Sequence, residues 1–322
     1  MLRSTADKIS TTLKLRDHLL DNARHQAQEI KKGSERLRGR VGIITGVGPE
    51  LGIGTAAAKL FAREGTAHLY LLDFGDKQIE SLLDYLKENY PETKVDFVKA
   101  DVADAGAISS LIDRAIKDEG RLDFYFANAG TAQAEKASSG KNGNFMSFAK
   151  PIENIGEDEF SEIMRVNALG GFIAIKYASA AMSITCPEKG KTVPGGSIVL
   201  TSSVAGLKAN GGPIPYSASK AATVSMAQTA AFAFAGTNIR VNAICPGLIE
   251  TDMTKFLFDL AKATGTEHKI GTLNPTLRQG VGHEVAQTVL FLASDDSLYV
   301  NGQAIPVDGG LSAGLPYVQS NM

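Results

Sequence analysis

Tyr216 and Lys220, four residues apart in the run Tyr216-Ser217-Ala218-Ser219-Lys220, put a phenol and an ammonium on one face of a helix if this stretch is helical. A phenol beside a fixed cation gives and takes protons. Free tyrosine titrates near pH 10, so acid/base work at neutrality needs it brought down by about 2 to 3 pH units, roughly 3 to 4 kcal/mol. A neighbouring ammonium pushes in that direction. Alone, the pair does not separate catalysis from a solvated helix face, where Tyr and Lys at this spacing are ordinary. A second stretch with chemical content is Thr45-Gly46-Val47-Gly48-Pro49-Glu50-Leu51-Gly52-Ile53-Gly54, running straight into the helical Thr55-Ala56-Ala57-Ala58-Lys59-Leu60-Phe61. Glycines there let the backbone approach a pyrophosphate, and the helix start offers it unpaired amides and a partial positive charge. Further on, Leu71-Leu72-Asp73 ends a strand pattern where such folds place an acid against the adenosine ribose. A carboxylate accepts from ribose hydroxyls and repels a 2′-phosphate, and no Arg or Lys follows in Phe74-Gly75-Asp76, which favours NAD over NADP. The competing reading of Asp73 is a strand-ending turn.

The elements that must position these residues follow from the hydrophobic pattern. From Arg40 onward short β-rich runs alternate with longer helical patterns, the signature of repeated βαβ units. Strands are expected at Val41 to Thr45, His68 to Asp73, Val95 to Lys99, Leu122 to Ala127, Ser197 to Thr201, Arg240 to Ile244 and Ala304 to Val307. Helices are expected near Gly54 to Glu64, Lys77 to Asn89, Ala105 to Glu119, Glu157 to Ser183, Tyr216 to Phe234 and His283 to Ala293. Several strand runs lack polar alternation, as expected when helices cover both faces. The fold class is therefore α/β: one doubly wound, seven-stranded parallel sheet in a single domain, residues 40–322, behind an extension, residues 1–39. The segment Thr251 to Gly282, beyond the C-terminal end of the sixth strand, is the natural substrate lid. Leu207, Ile214, Leu248, Met253, Phe256 and Leu257 suggest an apolar pocket, simple core packing being the other reading of each.

Composition removes other classes. With 322 residues, 43% hydrophobic and 21% charged, the chain can bury a large core, and a formal charge of -2 supplies no field to gather nucleic acid. Cys186 and Cys245 are far apart and the five histidines do not cluster, so neither a disulfide framework nor a metal site is expected. No apolar run approaches the ~18 to 20 residues of a membrane span. In the leader, Ile9, Leu13, Leu20 and Ala27 are spaced like one helix face. A mitochondrial transit peptide competes there with a docking helix or frayed leader. Asp7, Asp17, Asp21 and Glu29 count against the transit peptide, and the chain reads as cytoplasmic.

From about Arg40 to Ser312 the sequence resembles the short-chain dehydrogenase/reductase family, on motifs that agree in order and spacing. Asp101-Val102 looks like the family's adenine contact, and Asn128-Ala129-Gly130 like its Asn-Ala-Gly turn beside the cofactor. Asn167, in Val166-Asn167-Ala168, matches the helix asparagine that helps hold a water in the proton relay. Ser203, rather than Ser202, stands thirteen residues before Tyr216, the family spacing. Pro246-Gly247, with Ile249 and Thr251, resembles the segment that holds the nicotinamide carboxamide, and Asp308-Gly309-Gly310 the C-terminal signature. The resemblance implies hydride transfer between nicotinamide and a secondary alcohol or its ketone. Tyr216 would be the general acid/base, Ser203 would orient the substrate oxygen, Lys220 would lower the phenol and bond the nicotinamide ribose, and Asn167 would link the site to solvent. Gly46, Gly52 and Ile53 would cradle the phosphates. It also implies a homodimer or homotetramer through the helices Glu157 to Ser183 and Tyr216 to Phe234, whose Ala178, Ala180, Ala181, Ala221, Ala222, Ala230 and Ala231 permit close packing; packing against the chain's own sheet is the alternative.

Two departures stand out. Five residues separate Gly46 from Gly52 where the family has three, so the phosphate turn is longer by two and the glycines' separate roles stay open. The insert Ala137 to Lys150, polar and flexible, also exceeds the usual length. These leave an alternative: a dinucleotide-binding protein on this scaffold with an interaction role or non-redox chemistry.

Overall fold

The structure, a computed structural model, describes residues 5–28, 33–132 and 151–314. The insert expected at Ala137 to Lys150 lies outside the described residues. Its main sheet contains β1 (Val41–Thr45), β2 (His68–Asp73), β3 (Lys94–Lys99), β4 (Phe124–Ala127), β5 (Gly196–Thr201), β6 (Ile239–Pro246) and β9 (Ala304–Val307), in the spatial order β3-β2-β1-β4-β5-β6-β9. Every pairing in it is parallel. β1 is an inner strand, with Ile43 opposite Tyr70 on one side and Tyr125 on the other. Strand order reverses between β1 and β4, and a crevice therefore opens outside their carboxyl ends.

The strands feed two cores because successive side chains point to opposite faces. Ile44, Leu69 and Leu71 turn one way, onto α2 (Ile53–Arg63), α3 (Ile79–Asn89) and α9 (Gly282–Ala293); Phe61, Leu86 and Val289 fill that layer. Val41, Ile43, Tyr70 and Leu72 turn the other way, onto α4 (Ala105–Glu119), α6 (Gly170–Met182) and α7 (Ile214–Ala233), with Ile112, Ala178 and Ala227. Each buried Val, Ile, Leu or Phe side chain among these stabilises by roughly 1.5 to 3 kcal/mol. β1, β2, β9 and α4 fall where the pattern places them, and the other elements shift at one or both ends by one or two residues.

Three features go beyond that pattern. The single helix expected over Glu157 to Ser183 is divided into α5 (Glu157–Met164), a π-helical turn (Arg165–Leu169) and α6. A second, two-stranded parallel ladder joins β7 (Ile249–Glu250) to β8 (Gly280–Val281), so the lid, with α8 (Lys255–Ala263) inside it, is an excursion pinned at both ends. The leader contains α1 (Thr5–Gln28), which docks: Leu20 and Ala23 are buried with Val281, Arg24 reaches both carboxylate oxygens of Glu250 at 2.9 and 2.7 Å, and Arg16 Nη1 donates to His268 O at 3.0 Å. Among the described residues no helix is long and apolar enough to cross a membrane.

Candidate active site

A cavity of about 390 Å³ lies along the carboxyl ends of β1, β2, β4 and β5. One end is built by β5 and α7. Pro213 and Pro215 start α7, where missing amides cost nothing, and the helix then carries Tyr216 and Lys220 one turn apart on the face toward β5. Lys220 is buried, donates from Nζ to Thr201 O at 2.9 Å, and lies 5.6 Å from the centre of the Tyr216 ring. Ser202 Oγ donates to Lys220 O at 2.7 Å, tying the strand end to the helix. Ser203 follows; its Oγ accepts from Ala205 N at 3.1 Å, and its side chain interacts with the Tyr216 phenol.

Burial dominates the electrostatics of this wall. It holds the Lys220 ammonium down at about 8. It also raises the Tyr216 phenol, opposed by the Ser203 side chain. The lowering of the phenol expected from the Tyr–Lys pair is therefore not what the protein alone produces: desolvation is the largest influence on the phenol, and the opposing one comes from Ser203.

Asn167 does not line the cavity but sits behind Gly130. The π turn swings it inward, where Nδ2 donates to Thr131 O at 2.8 Å and Ser219 Oγ at 2.9 Å, and Oδ1 accepts from Thr131 N at 2.8 Å. Gly130 keeps a gap open between Asn167 and Lys220: a Cβ there would lie 3.0 Å from Asn167 Oδ1 and 3.1 Å from Lys220 Nζ.

The middle of the cavity is the long glycine turn. Gly46 takes φ +76°, the left-handed region, and passes under Ala129. Gly54 permits the closest approach, since a Cβ there would fall 2.1 Å from Gly46 O. Gly52 is the cap from which α2 starts, its carbonyl accepting from Ala56 N at 3.0 Å. These assign the three glycine roles that spacing alone left open. The lengthened part of the turn is anchored at both ends by acids: Gly48 N donates to Asp73 Oδ2 at 3.1 Å, and Leu51 N to Asp252 Oδ2 at 3.1 Å. Asn128 cross-braces the strand ends, donating from Nδ2 to Gly46 O at 3.0 Å and accepting at Oδ1 from Thr201 Oγ1 at 3.2 Å.

At the far end stand Asp73, Phe74, Asp101 and Val102. Asp73 Oδ1 also accepts from Gly75 N at 2.9 Å, so the turn and ribose readings of this acid are compatible. Opposite, Pro246, Gly247, Ile249 and Thr251 reach the cavity from the lid side, and the backbone of Asp308 packs on Gly247, whose Cβ would meet it at 2.9 Å. The structure thus brings every residue expected to do chemistry or bind the cofactor, except Asn167, onto one cavity; of the six apolar residues expected to form a pocket, Met253 lines it and Leu207, Ile214, Leu248, Phe256 and Leu257 do not. It adds some that the motifs did not mark: Pro49, Thr201, Glu162, Arg165 and Asp252. For Arg165 and Glu162 the available signal was a charged pair three apart on a helix leading to Asn167, which reads as a solvated face. Among the described residues no group of His, Cys, Asp or Glu is placed to hold a metal ion.

Comparison with known proteins agrees with this geometry. A family model described as enoyl-(acyl carrier protein) reductase matches residues 46–312. A 3-oxoacyl-[acyl-carrier-protein] reductase of Thermotoga maritima is 36% identical over 276 residues, covering 86% of this chain and 99% of that protein. Among solved structures, a short chain dehydrogenase from Mycobacterium paratuberculosis bound to NAD superposes with a TM-score of 0.68 at 26% identity, covering 87% of this chain and all (100%) of the other. ElxO with NADP bound gives 0.70 at 25%, covering 85% and 99%.

Proposed function

The chain belongs to the short-chain dehydrogenase/reductase family, and from that membership we propose that it is an NAD(H)-dependent oxidoreductase acting on a secondary alcohol or its ketone. The observation that carries this reading is one cavity with a phosphate-type glycine turn in its middle, Asp73 at one end and the Ser203–Tyr216–Lys220 cluster at the other. The residues fit a dinucleotide. Gly54 leaves the backbone bare beneath the turn, α2 aims its first amides at it, and the acids at the far end suit a polyol. A bound nicotinamide supplies the hydride acceptor or donor.

The protein's part is proton handling and orientation. Ser203, fixed by its turn, holds the substrate oxygen beside the Tyr216 hydroxyl. Tyr216 then gives that oxygen a proton in reduction or takes one in oxidation. Lys220 faces the phenol from within α7, and its ammonium stabilises phenolate as it forms. The gap beside Gly130 suits a water between Lys220 and Asn167, through which the proton is exchanged with solvent. For the cofactor, Asp73 favours a free ribose over a 2′-phosphate, since the cations lining the cavity among the described residues are Arg165 and Lys220, and Arg165 is already paired with acids.

Titration of the purified protein with NADH and NADPH, beside Asp73→Ala, tests this. We expect NADH to bind about 10-fold or more tighter than NADPH, and Asp73→Ala to narrow that gap. Binding of neither nucleotide would overturn the reading.

A further inference from the structure

One side chain on the cavity is held more firmly than any solvated-face reading requires. Arg165 opens the π turn that also carries Asn167, and it makes a three-point contact: Nε and Nη2 each meet a Glu162 carboxylate oxygen at 2.7 Å, and Nη1 meets Asp101 Oδ2 at 2.7 Å. The other Asp101 oxygen, Oδ1, accepts from Ala103 N at 2.8 Å. The Asp101 carboxylate is thus clamped in one plane, by the backbone on one side and a guanidinium on the other. Glu162, Arg165, Asp101, Val102, Ala100 and Phe74 all border the same end of the cavity. A π turn is uncommon and concentrates at functional sites, because the extra residue rotates side chains off the regular helical face. Here the rotation sends two residues inward at once.

A carboxylate only accepts hydrogen bonds, and the sole N–H donor on the adenine ring edge is its 6-amino group. Resting on the dinucleotide reading above, we infer that Arg165 is a positioning residue that sets the purine specificity of this end, by holding the Asp101 carboxylate toward the 6-position of the base. A purine with oxygen at that position would bring acceptor against acceptor, and a freely rotating Asp101 would discriminate less. Glu162 keeps the guanidinium in place, and its charge leaves the cluster of two acids and one arginine with no excess positive charge to attract a phosphate.

The test is calorimetric titration of wild type, Arg165→Met and Arg165→Lys with three probes: NADH, reduced nicotinamide hypoxanthine dinucleotide and reduced nicotinamide mononucleotide. We expect wild type to prefer NADH over the hypoxanthine analogue by about 10-fold, the loss of one charge-assisted hydrogen bond. Arg165→Met should weaken NADH by roughly 5- to 20-fold and bring that ratio toward one, with the lysine variant between the two and the mononucleotide unchanged within about 2-fold. An unchanged NADH affinity and ratio in Arg165→Met would overturn the inference. So would an equal loss of the mononucleotide, which would mark Arg165 as a support of the whole fold. Failure of wild type to bind NADH would overturn the dinucleotide reading itself.

Discussion

The wall that carries Ser203, Tyr216 and Lys220 and the lid that faces it across the cavity are built by opposite means. The wall is an inner strand end and a twenty-residue helix, locked by hydrogen bonds between buried or half-buried groups: Lys220 to Thr201, Ser202 to Lys220, Asn167 to Ser219. The lid hangs from two strands of two residues each and is held by contacts at the surface, Arg24 on Glu250 and Leu51 on Asp252. Met253, in the lid, is nearly half exposed where Lys220 is 4% exposed. The difference teaches a division of labour. Proton transfer needs fixed distances and a dry environment, and the proposed function puts it on the rigid elements. On the proposed function, choice of substrate needs adjustment and falls to the lid side, which is the less firmly held of the two.

The hardest blow to the rigid side is Tyr216→Phe. Removing the hydroxyl should lower kcat by about 10³-fold, within the range for a lost acid/base, while NADH affinity stays within about 2-fold. Steady-state kinetics beside nucleotide titration reads both; affinity falling in step with kcat would mean that Tyr216 is a prop for the site and would dissolve the comparison. Next is Lys220→Met. Burial lowers this ammonium to about 8 from an ordinary 10.5, so between those values the folded chain binds fewer protons here than the unfolded chain does. Stability contributed through this site therefore rises as pH rises across that window, and at neutral pH the buried charge is a cost. The melting temperature of Lys220→Met relative to wild type should accordingly drift in favour of wild type from pH 8 to pH 10.5, by a few degrees (~2 to 4 °C per kcal/mol). A pH-independent difference would show that the lysine is not desolvated. Smallest is Arg24→Glu, on the lid side. An exposed ion pair contributes about 0.2 to 1 kcal/mol, so KM for the alcohol or ketone should rise roughly 2- to 5-fold with kcat nearly unchanged, and Glu250→Arg in the same chain should restore it. A fall in kcat comparable to that of Tyr216→Phe would place the lid within the chemistry.

Legibility in the sequence follows the same line. The sheet was readable because buried parallel strands are short apolar runs between helical stretches, and Val41 to Thr45 or His68 to Asp73 need no distant partner to declare themselves. The cavity residues were readable where a motif fixes spacing. What stayed hidden depends on contacts remote in sequence or on insertions that composition does not mark. Helical propensity runs straight through Arg165 to Leu169, so nothing announces the π turn. Leu20 and Ala23 form an ordinary apolar stripe until Val281, more than 250 residues away, covers them. Asp73 reads as either a ribose acceptor or a turn residue because its link to Gly48 exists only after the turn folds over it. The direction of the Tyr216 titration was misjudged from the pair alone, since the sequence shows the neighbouring charge but not the depth at which both groups lie.

The β7–β8 ladder, small as it is, makes the lid replaceable. By pairing Ile249 with Gly280 and Glu250 with Val281 it holds the two ends of the segment together whatever lies between them. The closure entropy of such a segment grows only logarithmically, about 0.6 kcal/mol for each doubling of length. Residues 251–279 can therefore lengthen, shorten or be exchanged for another sequence while the sheet keeps its register and the proton-transfer wall its geometry. If the segment sets substrate choice as proposed, a new substrate range is reachable by grafting it, and the natural cut points are the two residue pairs of that ladder.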